Sequence, residues 1–205
     1  MNEQSEQNYK DISRRAALHR LVLFPIYAWE LDKLNATPRW KPEDILPHCA
    51  AGITACQQLA KGQAEDMSLA YGVLTTYLTP LKEIVEQSSP YRAEAARLVA
   101  HALRIKAVLS VHREGSKRAV NYGKQAVIYS KESGNIPLQL ETLTCLAWLY
   151  ACDKQEKQAL ETVVKAKSLL QKQQKKGIPV HPVMQSNVFG GVVSMPMIQS
   201  PKTPT

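Results

Sequence analysis

Histidines, cysteines and carboxylates are the side chains through which this chain would do chemistry, and their spacing argues against it. The five histidines, His19, His48, His101, His112 and His181, are scattered. His101 and His112 are eleven residues apart. That is about 16 Å of rise on one helix, too far for both to ligate one metal ion. His48-Cys49 with Cys56 lacks the short chelating loop that zinc prefers. Cys49 and Cys56 are seven residues apart, as are Cys145 and Cys152, each pair inside a helical pattern. Seven residues rise roughly 10 Å along a helix, beyond the ~7 Å Cα limit of a disulfide. Each pair should instead serve as small apolar residues on one buried face of a reduced, intracellular protein. The carboxylates Glu65-Asp66 sit at a predicted helix start, where the dipole favours them. A Gly-rich phosphate loop, His-Glu-x-x-His, Cys-x-x-Cys and Gly-x-Ser-x-Gly are all absent from the sequence. We expect no enzyme activity, no catalytic residue, no metal and no cofactor.

Binding remains, and the elements that would present it are helices. The chain has 205 residues, 44% of them apolar, with 26 basic and 18 acidic side chains giving a net charge of +8. Only 2 Phe and 9 Gly speak against a β-rich fold. No apolar run reaches the ~20 residues of a transmembrane helix, and a cytoplasmic location is expected. From Pro42 to Lys176, long segments of 3.6-residue period alternate with short breakers such as Lys61-Gly62, Gly115-Ser116 and Gly134-Asn135. The pattern predicts helices over 44–61, 64–87, 90–113, 116–133, 137–151 and 154–176. A kink is expected before Pro80, and Asp153 to Glu156 reads as a capping box. Short connections between long helices make antiparallel hairpins, hence an all-α fold.

These hairpins repeat. Leu103, Ala107, Ala119 and Ala126 return forty residues later as Leu143, Ala147, Ala159 and Ala166. The second copy reads Leu143-x2-Leu146-Ala147-x2-Tyr150, then Ala159-x3-Val163-x2-Ala166. That string resembles the tetratricopeptide pattern, which implies hairpins stacked as a short TPR-like α-solenoid. The first copy departs from it at Lys106, Ser110 and Gly123, where larger apolar residues are expected. The phrases from His48 to Cys56 and from Ser88 to Leu98 resemble the C-terminal half of bacterial transcriptional regulators that join a helix-turn-helix head to a tetratricopeptide tail. The likeness covers roughly residues 12–173, and no helix-turn-helix head precedes the repeat. What it implies is the sensing or docking half of such a regulator.

Two regions flank the repeat domain of residues 41–176. The segment 1–40 joins a polar start to Ser13-Arg14-Arg15 and the apolar run Leu21 to Trp29. Pro25 cuts that run and no small-x-small cleavage site follows, so it reads as a short amphipathic helix docking through Leu18, Leu21, Val22 and Tyr27 rather than as an export signal. Tyr27 and Trp29 beside the arginines also suit contact with a membrane surface. The tail 177–205 has five prolines, three glycines, no acid and one lysine, with an apolar patch from Val188 to Ile198. It reads as flexible, with Val188-Phe189 and Met195 to Ile198 able to pack on an exposed helix face.

Charge divides the repeat domain. Residues 41–90 carry 3 basic and 6 acidic side chains, whereas 91–134 carry 9 and 3. Arg97 and Arg104, then Lys117, Lys124 and Lys131, recur at sevens and form a basic face suited to acidic peptides, nucleic acid or anionic lipid. Missing aromatic interleaving makes nucleic acid the less favoured partner. In tetratricopeptide-like stacks the first helix of each pair lines the ligand groove. Placing that pattern here aims His101, Arg104, Val108 and His112 inward from one helix, and Glu141, Thr144 and Trp148 from the next. The function expected is a protein- or peptide-binding module in a bacterial regulatory system. The alternative is a nucleic-acid or small-molecule responsive regulator fragment working through the basic face.

Overall fold

The computed structural model describes residues 41–87 and 89–175, together with the isolated Ala17. The readings of the segment 1–40 and of the tail 177–205 fall outside the described residues, Ala17 excepted. Six helices account for the rest: α1 Pro42–Leu59, α2 Ala64–Glu86, α3 Arg92–Arg113, α4 Ser116–Glu132, α5 Ile136–Cys152 and α6 Glu156–Lys175. Among the described residues there is no strand, and no helix is long and apolar enough to cross a membrane.

Local chemistry explains the ends. Pro42 opens α1 in the first turn, where a missing N–H costs nothing. Asn135 caps α5 by accepting the Leu138 N–H at 2.9 Å. Gly115 and Gly134 take positive φ of 88° and 67° in the two tight connections. The predicted capping box does not form. Lys154 takes the left-handed conformation, φ 58°, so α6 starts at Glu156. The Asp153 carboxylate instead accepts from Ser116 and Gln155, tying the start of α4 to the end of α5. The helix α2 runs unbroken through Pro80, and the hydroxyls of Thr75 and Thr76 bond back to the carbonyls of Tyr71 and Gly72.

The helices form three antiparallel hairpins in a stack. Each second helix packs on its own first helix and on the first helix of the next hairpin, α2 on α3 and α4 on α5. The first helices α1, α3 and α5 lie side by side, while the backbones of α2, α4 and α6 stay apart and only side chains join α2 to α4, Lys82 Nζ lying 5.9 Å from the Tyr129 ring centroid. Two apolar cores follow. One joins α1, α2 and α3 around Ile53, Leu74, Tyr77, Leu81, Leu98 and Leu103, with Ala126 of α4 at its border. The other joins α3 to α6 around Ala107, Val120, Leu140, Leu149 and Leu170. Ala147 is buried and Ala159 is half-buried at the edge of this second core.

All four cysteines carry free thiols. Cys49 and Cys56 are buried in the first core, and burial pushes both thiols up to about 12. Cys145 and Cys152 are only half-buried, short of the buried face expected for them.

The departures of the first repeat copy each have a use. A Cβ on Gly123 would lie 2.6 Å from Leu149 Cδ1 and 3.2 Å from Leu146 Cδ1, so the missing side chain is what lets α4 and α5 close. Ser110 is fully buried and donates to the Ala107 carbonyl at 2.9 Å. Lys106 is buried as well, with partners described below.

Candidate functional site: the first-helix face and the lysine row

Since α3 and α5 are first helices of successive hairpins, they run in the same direction. That places Arg104 level with Glu141, and the guanidinium Nε stands 3.6 Å from the Glu141 carboxylate. The Arg104 side chain is one-fifth exposed and its Nε has no hydrogen-bond partner. Its Nη2 lies 2.9 Å from His101 Nε2. Because a guanidinium only donates, that ring nitrogen accepts, and the imidazole is neutral with its proton on Nδ1. Burial, then the charges of Arg104 and Arg97, push the His101 pKa down to about 4.

The other residues assigned to the groove hold different stations. Val108 is 39% exposed and His112 is exposed, so both are open to a ligand. Thr144 is half-buried and donates to the Leu140 carbonyl at 2.9 Å, leaving its oxygen lone pairs. Trp148 is half-buried against the second core, with part of its ring in solvent. Cys145 joins this group unannounced by the sequence pattern. Burial pushes its thiol up to about 11 while the nearby Arg104 opposes the rise.

The residues of the basic face differ in what holds them. Arg97 is gripped by Glu94, Nε and Nη2 donating to the two carboxylate oxygens at 2.8 and 2.6 Å. Arg104 is occupied as above. The lysines of α4 are the open part: Lys117, Lys124 and Lys131 are all exposed, two turns apart along one stripe. Lys124 Nζ lies 5.8 Å from the centroid of the Tyr150 ring on α5. One largely buried aromatic ring therefore lies beside this row.

A second cluster was invisible to pattern reading. The Lys106 ammonium sits 4.9 Å from the Tyr71 ring centroid and 4.7 Å from that of Tyr122, and donates to Thr75 Oγ1 at 2.8 Å. Arg113 lies 4.9 Å from the same Tyr71 ring. The result is a ladder of cation, ring, cation and ring that links α2 and α4 across α3. Glu114 closes it, accepting from Tyr71 at 2.5 Å and Tyr122 at 3.3 Å and pairing with Arg118 at 3.3 Å. The Tyr71 bond is the first of the contacts that hold the Glu114 carboxyl below the usual carboxylate range. The signal was a lysine in an apolar register position, which demands a partner that the pattern does not identify.

Among the described residues no cluster of three or more His, Cys, Asp or Glu side chains could hold a metal ion. The comparisons with family models, curated proteins and solved structures found no match to this chain.

Proposed function

We propose that this chain is a non-catalytic helical-repeat module that binds a protein or peptide partner on its first-helix face, within a bacterial regulatory system. The observation that carries the reading is Arg104: a guanidinium side chain one-fifth exposed, its buried Nε without a hydrogen bond, set between His101 and Glu141. A ligand carboxylate would meet the exposed part of that fork, since Glu141 approaches only the buried Nε, and no closer than 3.6 Å. Val108 and the open part of Trp148 supply apolar surface beside it. The partner is accordingly a peptide with an acidic group next to an apolar side chain.

Two substitutions of opposite sign test this. Full-length chain is screened against an array of random decapeptides, then titrated with those retained. Arg104→Gln should weaken binding about tenfold or more, because it removes the charge from a bidentate contact. Glu141→Gln should tighten it, because it removes the competing carboxylate. With Trp29 and Trp40 replaced by Phe, the Trp148 emission should shift on binding. Retained peptides that ignore both substitutions and leave Trp148 emission unchanged would overturn the assignment.

The second reading, a nucleic-acid responsive regulator fragment, draws on the row Lys117, Lys124 and Lys131 with Tyr150 beside it. Phosphate contacts make affinity fall steeply with salt. Binding to random DNA that weakens severalfold between low and physiological salt, and on Lys124→Gln, would favour it over the groove.

A further inference from the structure

The stack has a rule: a second helix packs on the first helix of the following hairpin. On α4 the face that obeys it is explicit. Gly123 receives Leu146 and Leu149, Lys124 reaches the Tyr150 ring, and Ser130 hydrogen-bonds Thr142 at 2.9 Å, all on α5. Val120 and Val127 lie among them, 2% and 9% exposed.

Moving by the forty-residue period carries this face onto α6. Val120 becomes Leu160, Gly123 becomes Val163, Lys124 becomes Val164 and Val127 becomes Lys167. Among the described residues no first helix follows α6. Leu160 and Val164 are 67% and 57% exposed, two of the four large apolar side chains exposed among the described residues, one turn apart on one face. A terminal repeat is normally closed by a polar outer face. This one presents an aliphatic pair at the position where its equivalent takes a partner.

We propose that the chain's own residues 188–198 cover this face of α6, with Val188, Phe189 and the aliphatic residues after them seated on Leu160, Val163 and Val164. Length permits it. From Lys175 back to Leu160 the helix spans about 23 Å, and residues 176–187 can reach roughly 40 Å. Charge permits it too: residues 182–201 contain no charged side chain, so nothing there opposes the lysines of α6. A second copy offers a poorer match. Its open end would be α1, which exposes no large apolar side chain among the described residues. Attachment to the same chain also gives the segment a high effective concentration at α6.

The test is a double-mutant cycle on the full-length chain, with Val164→Asp, Phe189→Asp and the two together. Each single substitution should lower the melting temperature by about 2–4 °C, and the pair should lower it no further than either alone. An aspartate on an uncovered position should leave the melt unmoved, so null singles, or shifts that simply add, overturn the proposal. A photo-crosslinking benzoylphenylalanine at position 189 gives an independent reading. Cross-links within one chain to residues 157–168 support the seat. Cross-links between chains, with melting that depends on protein concentration, assign the face to a second copy instead and overturn it.

Discussion

The hairpins α3–α4 and α5–α6 share a register at forty residues yet differ where packing is decided. The first copy has Lys106, Ser110 and Gly123 where the second has Leu146, Tyr150 and Val163. Read against the repeat pattern, the first copy looks worn. In the fold it is the better connected of the two: α3 touches α1, α2, α4 and α5, and α4 is held on both sides. Its unusual residues are adapted to neighbours that the outer hairpin lacks. Gly123 admits two leucines, and Lys106 lies between tyrosines of α2 and α4. A repeat in the interior of a stack is shaped by what it touches, and one at the end by its pattern.

That contrast can be broken. The largest effect should come from Lys106→Ala, which empties the space between Tyr71 and Tyr122. A large-to-small core change costs about 2–5 kcal/mol, read as a lowered denaturant midpoint. Lys106→Leu copies the other repeat and should cost less than the alanine, since a well-packed apolar residue often replaces a buried ion at little expense. A leucine variant as unstable as the alanine would show that the ammonium itself holds the ladder. Gly123→Val should cost about 1–3 kcal/mol by overpacking α5. Its mirror, Val163→Gly on α6, should cost about 1 kcal/mol through helix propensity and lost burial. Equal losses for the two would erase the distinction between interior and end. Ala147→Leu should likewise cost about 1–3 kcal/mol in a thermal melt, because Ala147 is only 2% exposed.

Acid should act gradually. His101 is depressed to about 4 in the folded chain against 6.5 for the free side chain. Above pH 6.5 both states are neutral and nothing is lost. As pH falls from 6.5 towards 4, the unfolded chain takes up a proton that the folded one refuses, so stability declines. Glu114, held below its ordinary range, adds its loss at lower pH as its carboxylate protonates. His101→Gln should flatten the decline between pH 6.5 and 4 in denaturant melts. An unchanged profile would mean that the imidazole titrates freely.

The parts of this architecture legible in the sequence are those written in local chemistry. Breakers such as Gly115, Gly134 and Pro137 placed the helix ends within two residues, because turns and caps depend on neighbours along the chain. The alanine register from Ala107 to Ala166 announced stacked hairpins for a similar reason. What escaped depends on residues distant in sequence. Lys106 finds Thr75 and Tyr71 on another helix, and Asp153 prefers Ser116 to its own helix start. The residues assigned to the first-helix face follow from helical periodicity along each helix taken alone. The engagement of Arg104 by His101 and Glu141 does not, since it depends on how α3 and α5 settle together.

The absence of backbone contact among α2, α4 and α6 has a mechanical consequence. Every line of force from α1 to α6 passes through α5, and on the second-helix side only side-chain contacts such as Lys82 on Tyr129 join α2 to α4. Pulled from its two ends, such a stack should peel rather than shatter. The hairpin α5–α6 should detach first, and α3, braced by four neighbours, should yield last.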